Sequence, residues 1–402
     1  MTVRSSHSTP AAPGLVVAAL FAGLVAGCGD PAGSGATEVV FDTLATGEVQ
    51  VTSPLEGQWG EGEAWTLEEE VRIGTASGEG PELFGQVQGL VADDEGRILV
   101  LDSQAREIRI FDADGAHLRT VGGQGGGPGE IANANGLAIH PEDGSVWVVD
   151  PGNGRYSVFE SNGDFRTTYP RPIGYFAVPW PGGFDHEGRL HDVVPGGLVR
   201  LDDEGVAVDT IALPDDDTPR IRVTAEDGAG LMSMVPPFGP RMQWYFDPRG
   251  MVWTAVSDAF HFTARNFDGQ ARRQVRRPHD PVPVSRAEGD SVVEAMREQI
   301  ARFGQGTAQV DGNMSPPSHR PAFSTFVVDD AGRLWVEPHR APDAPRELHV
   351  FDPEGRFLGP VVIDPGLQIS FPRAHFRGEH LYAVVTDDLD TPYVVRYRIR
   401  GR

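Results

Sequence analysis

Six segments of this chain share one local pattern, in which a polar turn with a glycine is followed by an apolar run. The segments are DDEGRILVLD, PEDGSVWVVD, DHEGRLHDVV, DPRGMVWTAV, DDAGRLWVEP and FRGEHLYAVV. Their turn glycines are Gly96, Gly144, Gly188, Gly250, Gly332 and Gly378, so successive glycines are 48, 44, 62, 82 and 46 residues apart. A repeat of this length restricts the chain to an array of similar supersecondary units.

The most regular unit, Gly89–Gly123, predicts the structure of each repeat. It contains four runs rich in Ile, Val, Leu and Phe, separated by Asp/Gly turns, which is typical of an antiparallel meander. A period near 45 residues with four strands is the signature of propeller blades. The sequence therefore predicts an all-β, six-bladed β-propeller of four-stranded antiparallel blades.

The two ends of the repeat region complement each other. The last unit, Ser370–Arg400, provides only three strands, whereas Trp65–Gly74 resembles the fourth strand of the first full unit. We expect this N-terminal strand to close the ring, because closure removes an exposed sheet edge. The predicted propeller thus spans residues 65–402, preceded over residues 38–64 by a hairpin that covers an outer blade edge and by a linker.

One irregular spacing, between the fourth and fifth units, predicts a helical insertion over residues 285–317. Ser285 and Glu288 fit a capping box, and apolar residues then recur at helical spacing up to Phe303. We expect one amphipathic helix over Ser285–Phe303, packed on a propeller face, followed by a polar loop to Pro317.

The N-terminus is typical of an export signal. A basic start and the apolar run Gly14–Val25 lead into VAGC, which resembles the lipobox of bacterial lipoproteins. The resemblance implies cleavage after residue 27, a lipid anchor that includes palmitate-type acyl chains on Cys28, and a flexible tether over residues 28–37. Gly29 rather than Asp follows the cysteine, which favours the outer membrane of the cell envelope if the organism is Gram-negative.

Composition excludes some classes of function. The formal net charge is −24 and the chain contains no lysine, so a nucleic-acid partner is not expected. Cys28 is the one cysteine, which excludes an intrachain disulfide. There is no G-x-S-x-G motif or P-loop, and the histidines lack the spacing of zinc ligands. The sequence predicts no catalytic residue, no bound metal and no cofactor.

Gly89–Gly123 and the neighbouring Gly136–Arg166 resemble six-bladed propellers of the NHL-repeat kind, within the broader class that includes TolB-like propellers. The resemblance extends over Trp65–Arg400. It implies an architecture rather than an activity, because propellers with one scaffold have unrelated functions.

The inner strand of each blade should line a central channel. The turn position of each unit is taken as Asp93, His140, Asp185, Asp247, Asp329 or His375. Five residues before it, the register selects Gln88, Asn135, Trp180, Met242, Ser324 and Ser370. The loops that lead into inner strands add Arg241, His319, Arg320 and Arg373. Arginines that face the channel would suit an anionic or carboxylate-bearing ligand. Alternatively, they are surface residues paired with nearby acids.

Other repeated residues have a structural interpretation. Asp102 and Asp150 end equivalent strands and are expected to bind backbone amides. Trp147, Trp253 and Trp335 share one second-strand position and are expected to pack between adjacent blades.

The favoured function is a lipid-anchored binding module of the cell envelope for a protein, peptide or glycan. The alternative is a metal-dependent hydrolase or lactonase with its site at the channel mouth. A hard cation needs several oxygen ligands, so a loop carboxylate such as Glu130 or Asp258 would have to reach the channel. A structural spacer, with a channel plugged by side chains, is a third hypothesis.

Overall fold

A computed structural model describes residues 38–171, 180–202, 204–225, 230–303 and 308–401. The predicted signal peptide (residues 1–27), the lipidation candidate Cys28 and the tether lie outside the described residues. The described chain is mainly antiparallel β-sheet with one helix.

Three strands precede the first blade: β1 (Val40–Thr43), β2 (Val49–Thr52) and β3 (Thr66–Ile73). Blade 1 contains β4 (Val87–Ala92), β5 (Ile98–Asp102), β6 (Glu107–Phe111) and β7 (His117–Gly122). Blade 2 contains β8 (Gly136–Ile139), β9 (Val146–Asp150), β10 (Arg155–Phe159) and β11 (Phe165–Pro170). Blade 3 contains β12 (Gly183–Phe184), β13 (Leu190–Val194), β14 (Gly197–Leu201) and β15 (Ala207–Ala212).

Two further strands, β16 (Ile221–Thr224) and β17 (Leu231–Met234), form a hairpin between blades 3 and 4. Blade 4 contains β18 (Met242–Asp247), β19 (Met251–Val256), β20 (Phe260–Asn266) and β21 (Ala271–Arg277). Helix α1 (Arg286–Phe303) and strand β22 (Gln309–Asp311) follow. Blade 5 contains β23 (Phe323–Val328), β24 (Leu334–Pro338), β25 (Glu347–Phe351) and β26 (Phe357–Val362). Blade 6 contains β27 (Leu367–Gln368), β28 (His375–Arg377), β29 (His380–Thr386) and β30 (Pro392–Arg400).

The N-terminal segment runs along the outer edges of three consecutive blades. Strand β2 pairs in parallel with β21 of blade 4, and the amides of Gln58 and Trp59 donate to the carbonyls of Phe357 and Leu358 in blade 5. Strand β3 then pairs antiparallel with β30 of blade 6. A single stretch of chain therefore provides backbone hydrogen bonds to blades 4, 5 and 6.

The hydrophobic core lies between neighbouring blades. Each interface buries side chains from two blades, as where Leu99 and Ile110 of blade 1 join Leu137 and Val148 of blade 2. The interface between blades 6 and 1 contains Val384 together with residues of β3 and β4. The inter-blade prediction for Trp147, Trp253 and Trp335 is confirmed, because the three side chains are buried in such interfaces.

Aspartate carboxylates accept backbone N–H groups at both ends of the inner strands. In the turn after β4, the Asp93 carboxylate accepts the backbone N–H groups of Glu95 and Arg97, and Gly96 has the φ of 78° that this turn requires. At the other end, Asp102 accepts the amides of Gly85 and Gln86. Asp150 binds the equivalent loop of blade 2 in the same way, as expected.

The helix begins one residue later than the predicted range, with Ser285 as its cap. Ser285 and Glu288 exchange the reciprocal hydrogen bonds of a capping box. Residues 304–317 were expected to form a loop, but β22 lies within them and pairs with β16. Ile300 of the helix packs against Ile221 of this small sheet, so two separate insertions form one module. Within the described ranges, no helix combines the length and apolar character needed to cross a bilayer.

Candidate functional site: the central cavity

A cavity of about 600 Å³ lies at the centre of the ring. Among the described residues, its lining includes 88–91 of blade 1, 135–140 of blade 2, 182–186 of blade 3, 245–246 of blade 4, 328–330 of blade 5 and 373–377 of blade 6. All six blades therefore contribute. The volume falls within the range of roughly 300–1,000 Å³ that is common for small-molecule sites.

Four of the sequence-predicted residues line this cavity: Gln88, Asn135, Trp180 and Arg373. Gln88 and Asn135 lie at the starts of the inner strands of blades 1 and 2, and Trp180 precedes the inner strand of blade 3. The other three register positions, Met242, Ser324 and Ser370, are not among the described residues that line the cavity.

The other three loop candidates, Arg241, His319 and Arg320, also lie elsewhere. Arg320 forms an ion pair of 2.5 Å with Glu288 of the helix and lies over the ring of Phe238. His319 pairs with Pro283 in an isolated bridge, and the exposed Arg241 bonds through its backbone to Ser257. Arg241, His319 and Arg320 are not among the described residues that line the cavity.

Arg373 extends from blade 6 across the cavity to blade 3. Its Nη1 donates a hydrogen bond of 3.1 Å to the carbonyl oxygen of Pro181, and its guanidinium lies 4.5 Å from the ring centroid of Tyr245 in blade 4. Within the described ranges, it forms no ion pair with a carboxylate. Burial lowers the pKa of Arg373 from its ordinary value, and Tyr245 opposes this shift.

Sequence reasoning missed Tyr245, although a signal was present. Two residues before the aspartate or histidine that begins each turn of blades 1 to 5, the register selects Val91, Ala138, Gly183, Tyr245 and Val327. Tyr245 is the large polar residue in a layer that is otherwise small or aliphatic. Arg373 lies outside this layer, because Arg377 pairs with His380 and the turn of blade 6 is Gly378–Glu379. Blade 3 faces blade 6 across the ring. Because Gly183 of blade 3 has no side chain, it leaves space for the Arg373 side chain to cross the channel.

A buried polar cluster behind the cavity fixes the position of Trp180. The Asp192 carboxylate accepts hydrogen bonds from the Tyr156 hydroxyl at 2.5 Å, from the Arg171 guanidinium at 2.6 and 2.9 Å and from Trp180 Nε1 at 2.7 Å. Asp192 is completely buried. Since the indole N–H is engaged, Trp180 offers its ring rather than a donor to the cavity.

Gln88 combines burial with an irregular backbone. The pairing of β4 with β5 shifts register between Val87 and Gly89, which makes Gln88 the extra residue of a β-bulge. Bulges re-aim side chains and are common beside functional sites. Gln88 is only 7% exposed, lines the cavity, and its amide forms no hydrogen bond within the described part of the chain.

The end of the cavity formed by the turns after the inner strands, here called the turn end, is acidic. Its described lining contains more carboxylates than arginines: Asp93, Asp94, Glu95, Glu142, Asp143, Asp185, Asp329 and Asp330 against Arg97 and Arg377. Six of the eight form ion pairs with arginines, some of which lie behind the lining: Asp93 and Glu95 with Arg97, Asp94 with Arg377, Asp143 with Arg166, Asp185 with Arg189 and Asp329 with Arg333. Burial opposes ionisation of Asp143, but hydrogen bonds from Ser145 and Arg166 lower its pKa to about 2. The exposed Glu142 has no ion pair among the described residues.

His375 lies on the cavity wall and is neutral at neutral pH. Burial and the nearby Arg377 lower the pKa of His375 to about 4. Its Nε2 lies 3.2 Å from the carbonyl oxygen of Ala92, which can only accept, so this nitrogen carries the proton of the neutral ring.

The loop carboxylates considered as metal ligands lie outside the cavity lining. Glu130 accepts the amide of Gly127 at 2.6 Å within its own loop, and Asp258 is not part of the described lining. Among the described residues, no group of three or more His, Cys, Asp or Glu side chains is close enough to hold a metal ion.

Comparison with known proteins supports the fold. The family model described as "6-bladed beta-propeller" matches residues 82–169. A solved Bacteroides fragilis protein thought to be exported has 12% sequence identity and a TM-score of 0.52, over 87% of this chain and 99% of that chain. No curated protein matches the sequence.

Two further solved structures are more distant. Virginiamycin B lyase from Staphylococcus aureus has 12% identity and a TM-score of 0.42, over 83% of this chain and 99% of the lyase. A Bacteroides vulgatus protein of the DUF4221 family has 10% identity and a TM-score of 0.46, over 84% of this chain and 99% of that chain. The six repeats, the four-stranded blades and the family match agree on the architecture: this chain is a six-bladed β-propeller.

Proposed function

We propose that this propeller is an exported binding module, anchored to the cell envelope through a lipid on Cys28, and that its protein, peptide or glycan ligand occupies the central cavity. One observation carries the proposal: polar side chains that need a partner line a cavity of ligand size. Arg373 has no carboxylate partner and the Gln88 amide has no hydrogen bond within the described residues. Buried polar groups of this kind are costly unless a partner satisfies them.

Export and anchoring are supported by the N-terminal sequence. Residues 1–27 have the basic, apolar and small-residue order of a signal peptide, and Cys28 follows in a lipobox-like context. One acyl chain gives only weak membrane binding, whereas several give a stable anchor.

The binding proposal is tested by filling the cavity. Gly183 lines the cavity, and a Cβ at this position meets only Phe246, at 3.6 Å, so Gly183→Leu adds volume without a backbone clash. Ala207→Leu also creates a leucine, with one carbon fewer added, on the exposed outer strand of the same blade and is the control. Each variant, immobilised, captures components from solubilised cell envelope.

We expect a saturable component bound by the wild type and by Ala207→Leu but lost from Gly183→Leu. Equal capture by all three proteins, or no saturable capture, would contradict binding in the cavity. For the anchor, we expect palmitate labelling and membrane fractionation of the wild type, both abolished by Cys28→Ser. Unchanged fractionation of that variant would refute the lipid anchor.

A further inference from the structure

The central cavity carries opposite charges at its two ends. Arg373 provides a positive charge where the inner strands begin, and the turn end is acidic. We propose that the ligand is a short peptide of about four residues, bound extended along the channel. Its C-terminal carboxylate contacts Arg373 and its positively charged N-terminus lies at the turn end. This inference deepens the proposed function and rests on it.

The anion site is defined by the unused donors of Arg373. A guanidinium has five N–H donors in a planar fork that matches a carboxylate. Among the described residues, Arg373 uses this fork for one hydrogen bond, to the carbonyl of Pro181, and places its face on Tyr245. A carbonyl oxygen and an aromatic ring leave the positive charge without a counterion. A ligand carboxylate supplies both the charge and the second acceptor.

Gln88 provides an independent indication of a ligand in the same cavity. Its side chain is more than nine-tenths buried, sits on a β-bulge and has no hydrogen-bond partner within the described residues. An amide both donates and accepts, so it suits the last peptide unit of a bound chain, which presents an N–H group and a carbonyl next to the carboxylate.

The distance between the charged ends sets the length of the ligand. The Arg373 guanidinium binds at Pro181, and the turn of the same blade begins at Asp185, four residues further along. The segment contains strand β12 (Gly183–Phe184), and extended chain rises about 3.3 Å per residue, so the two levels are at most about 13 Å apart. An extended tetrapeptide spans about the same distance. A free amino acid is too short to place its two charges at both ends.

The walls and the mouth favour a peptide over a folded protein or a neutral glycan. Trp180, Phe184, Tyr245, Phe246 and Phe376 line the cavity, and these rings suit the apolar parts of amino-acid side chains. The acidic turn end attracts cations and repels polyanions. A neutral glycan has no charge for either end, and a volume of about 600 Å³ admits a chain terminus rather than a domain.

The test is calorimetric titration of the full chain with Lys-Ala-Ala-Ala in three forms: with free termini, with a C-terminal amide, and with an acetylated N-terminus in which norleucine replaces lysine. We expect amidation to weaken binding at least tenfold and the acetylated form to bind several-fold more weakly, with a loss that shrinks at high salt. Lys-Ala, which is too short for the span, should bind at least tenfold more weakly than the tetrapeptide.

The variant Arg373→Gln tests whether the difference in affinity between the free-acid and amidated peptides depends on this one residue. In this variant the free acid and the amide should bind with equal affinity, whereas Arg320→Gln, outside the cavity, should retain the wild-type difference. Gln88→Leu should weaken the free tetrapeptide several-fold. Circular dichroism establishes that each variant is folded, and the comparison of acid with amide on the wild type requires no variant.

Several results would overturn this inference. They are equal binding of acid and amide to the wild type, a difference that persists in Arg373→Gln, equal binding of Lys-Ala, or no binding of the tetrapeptide at millimolar concentration. If envelope capture still depends on Gly183, any of these outcomes removes the peptide assignment and leaves the binding function. If capture fails as well, the binding function is also removed.

Discussion

Two arginines lie close to the Trp180–Pro181 segment and have opposite surroundings. Arg171 is completely buried and binds the Asp192 carboxylate through two nitrogens, at 2.6 and 2.9 Å. Arg373 reaches the carbonyl of Pro181 from the opposite blade and has no carboxylate partner in the described chain. The arginine side chain thus has a carboxylate partner at position 171, here called the closed arginine, and none in the described chain at position 373, here called the open arginine.

The difference follows from the position of the nearest carboxylate. Asp192 lies on the second strand of blade 3, inside the interface with blade 2, where it accepts four hydrogen bonds from three side chains. The groups that contact the Arg373 guanidinium are the Pro181 carbonyl and the Tyr245 ring, neither of which carries a charge. A buried network in which every polar group has a partner stabilises one fold. A charged side chain without a counterion in a cavity instead favours a ligand of opposite charge.

The largest effect is expected from removal of the shared carboxylate. Asp192→Ala leaves Arg171 without its counterion and removes the acceptor of Tyr156 and Trp180. Breaking a buried pair in this way costs about 3–5 kcal/mol in the free energy of unfolding, measured by urea denaturation. Asp209→Ala, which removes an exposed partner of Arg200, should cost less than about 1 kcal/mol. Equal losses would show that the Asp192 network has no special structural role.

The same contrast shows what the sequence can and cannot predict. The blades were predictable because each turn is local, as where Asp93 binds amides two and four residues away. Arg373 was selected as a channel candidate by its loop position. In contrast, the pairing of β22 with β16 joins segments from two insertions, and no local pattern specifies such a contact. The role of Arg320 was equally unpredictable, because its partner Glu288 lies on the inserted helix.

Acidification should destabilise the fold in part through His375 on the cavity wall. Because the folded pKa of His375 is about 4 and the unfolded value is about 6.5, the unfolded chain binds more protons between these values. The contribution of neutral His375 to the free energy of unfolding is therefore complete above pH 6.5 and is lost as the pH falls towards 4. The shift corresponds to at most about 3 kcal/mol.

Urea denaturation at a series of pH values measures this contribution. We expect His375→Gln, which keeps a neutral donor near Ala92, to make the loss of stability between pH 6.5 and 4 shallower. His186→Gln, at an exposed turn position, is the control and should retain the wild-type slope. Part of the acid sensitivity should remain, since burial also lowers the pKa of His191 and His349. An unchanged slope in His375→Gln would contradict the assignment.

A smaller effect is expected from a single donor of the closed network. Tyr156→Phe removes the hydroxyl that donates to Asp192 at 2.5 Å and leaves the buried ring in place. A hydrogen bond to a charged group contributes about 1.5–3 kcal/mol. We therefore expect a loss of about 2 kcal/mol in the free energy of unfolding, less than for Asp192→Ala, because Arg171 and Trp180 keep their acceptor. A loss as large as that of Asp192→Ala would show that the network acts as one unit.

The smallest change in stability should come from substitution of Arg373, the open arginine. Arg373→Met removes a charge that has no counterion in the described chain and replaces it with an apolar side chain of similar length. Removal of an uncompensated, partly desolvated charge favours the folded state, whereas loss of the cation–π contact with Tyr245 opposes it by about 0.5–2 kcal/mol. We expect a net change within about 1 kcal/mol in either direction, measured by urea denaturation beside Arg171→Met, which should lose several times as much. A large loss in Arg373→Met would mean that this arginine, like Arg171, stabilises the fold, and the distinction between the closed and the open arginine would then be wrong.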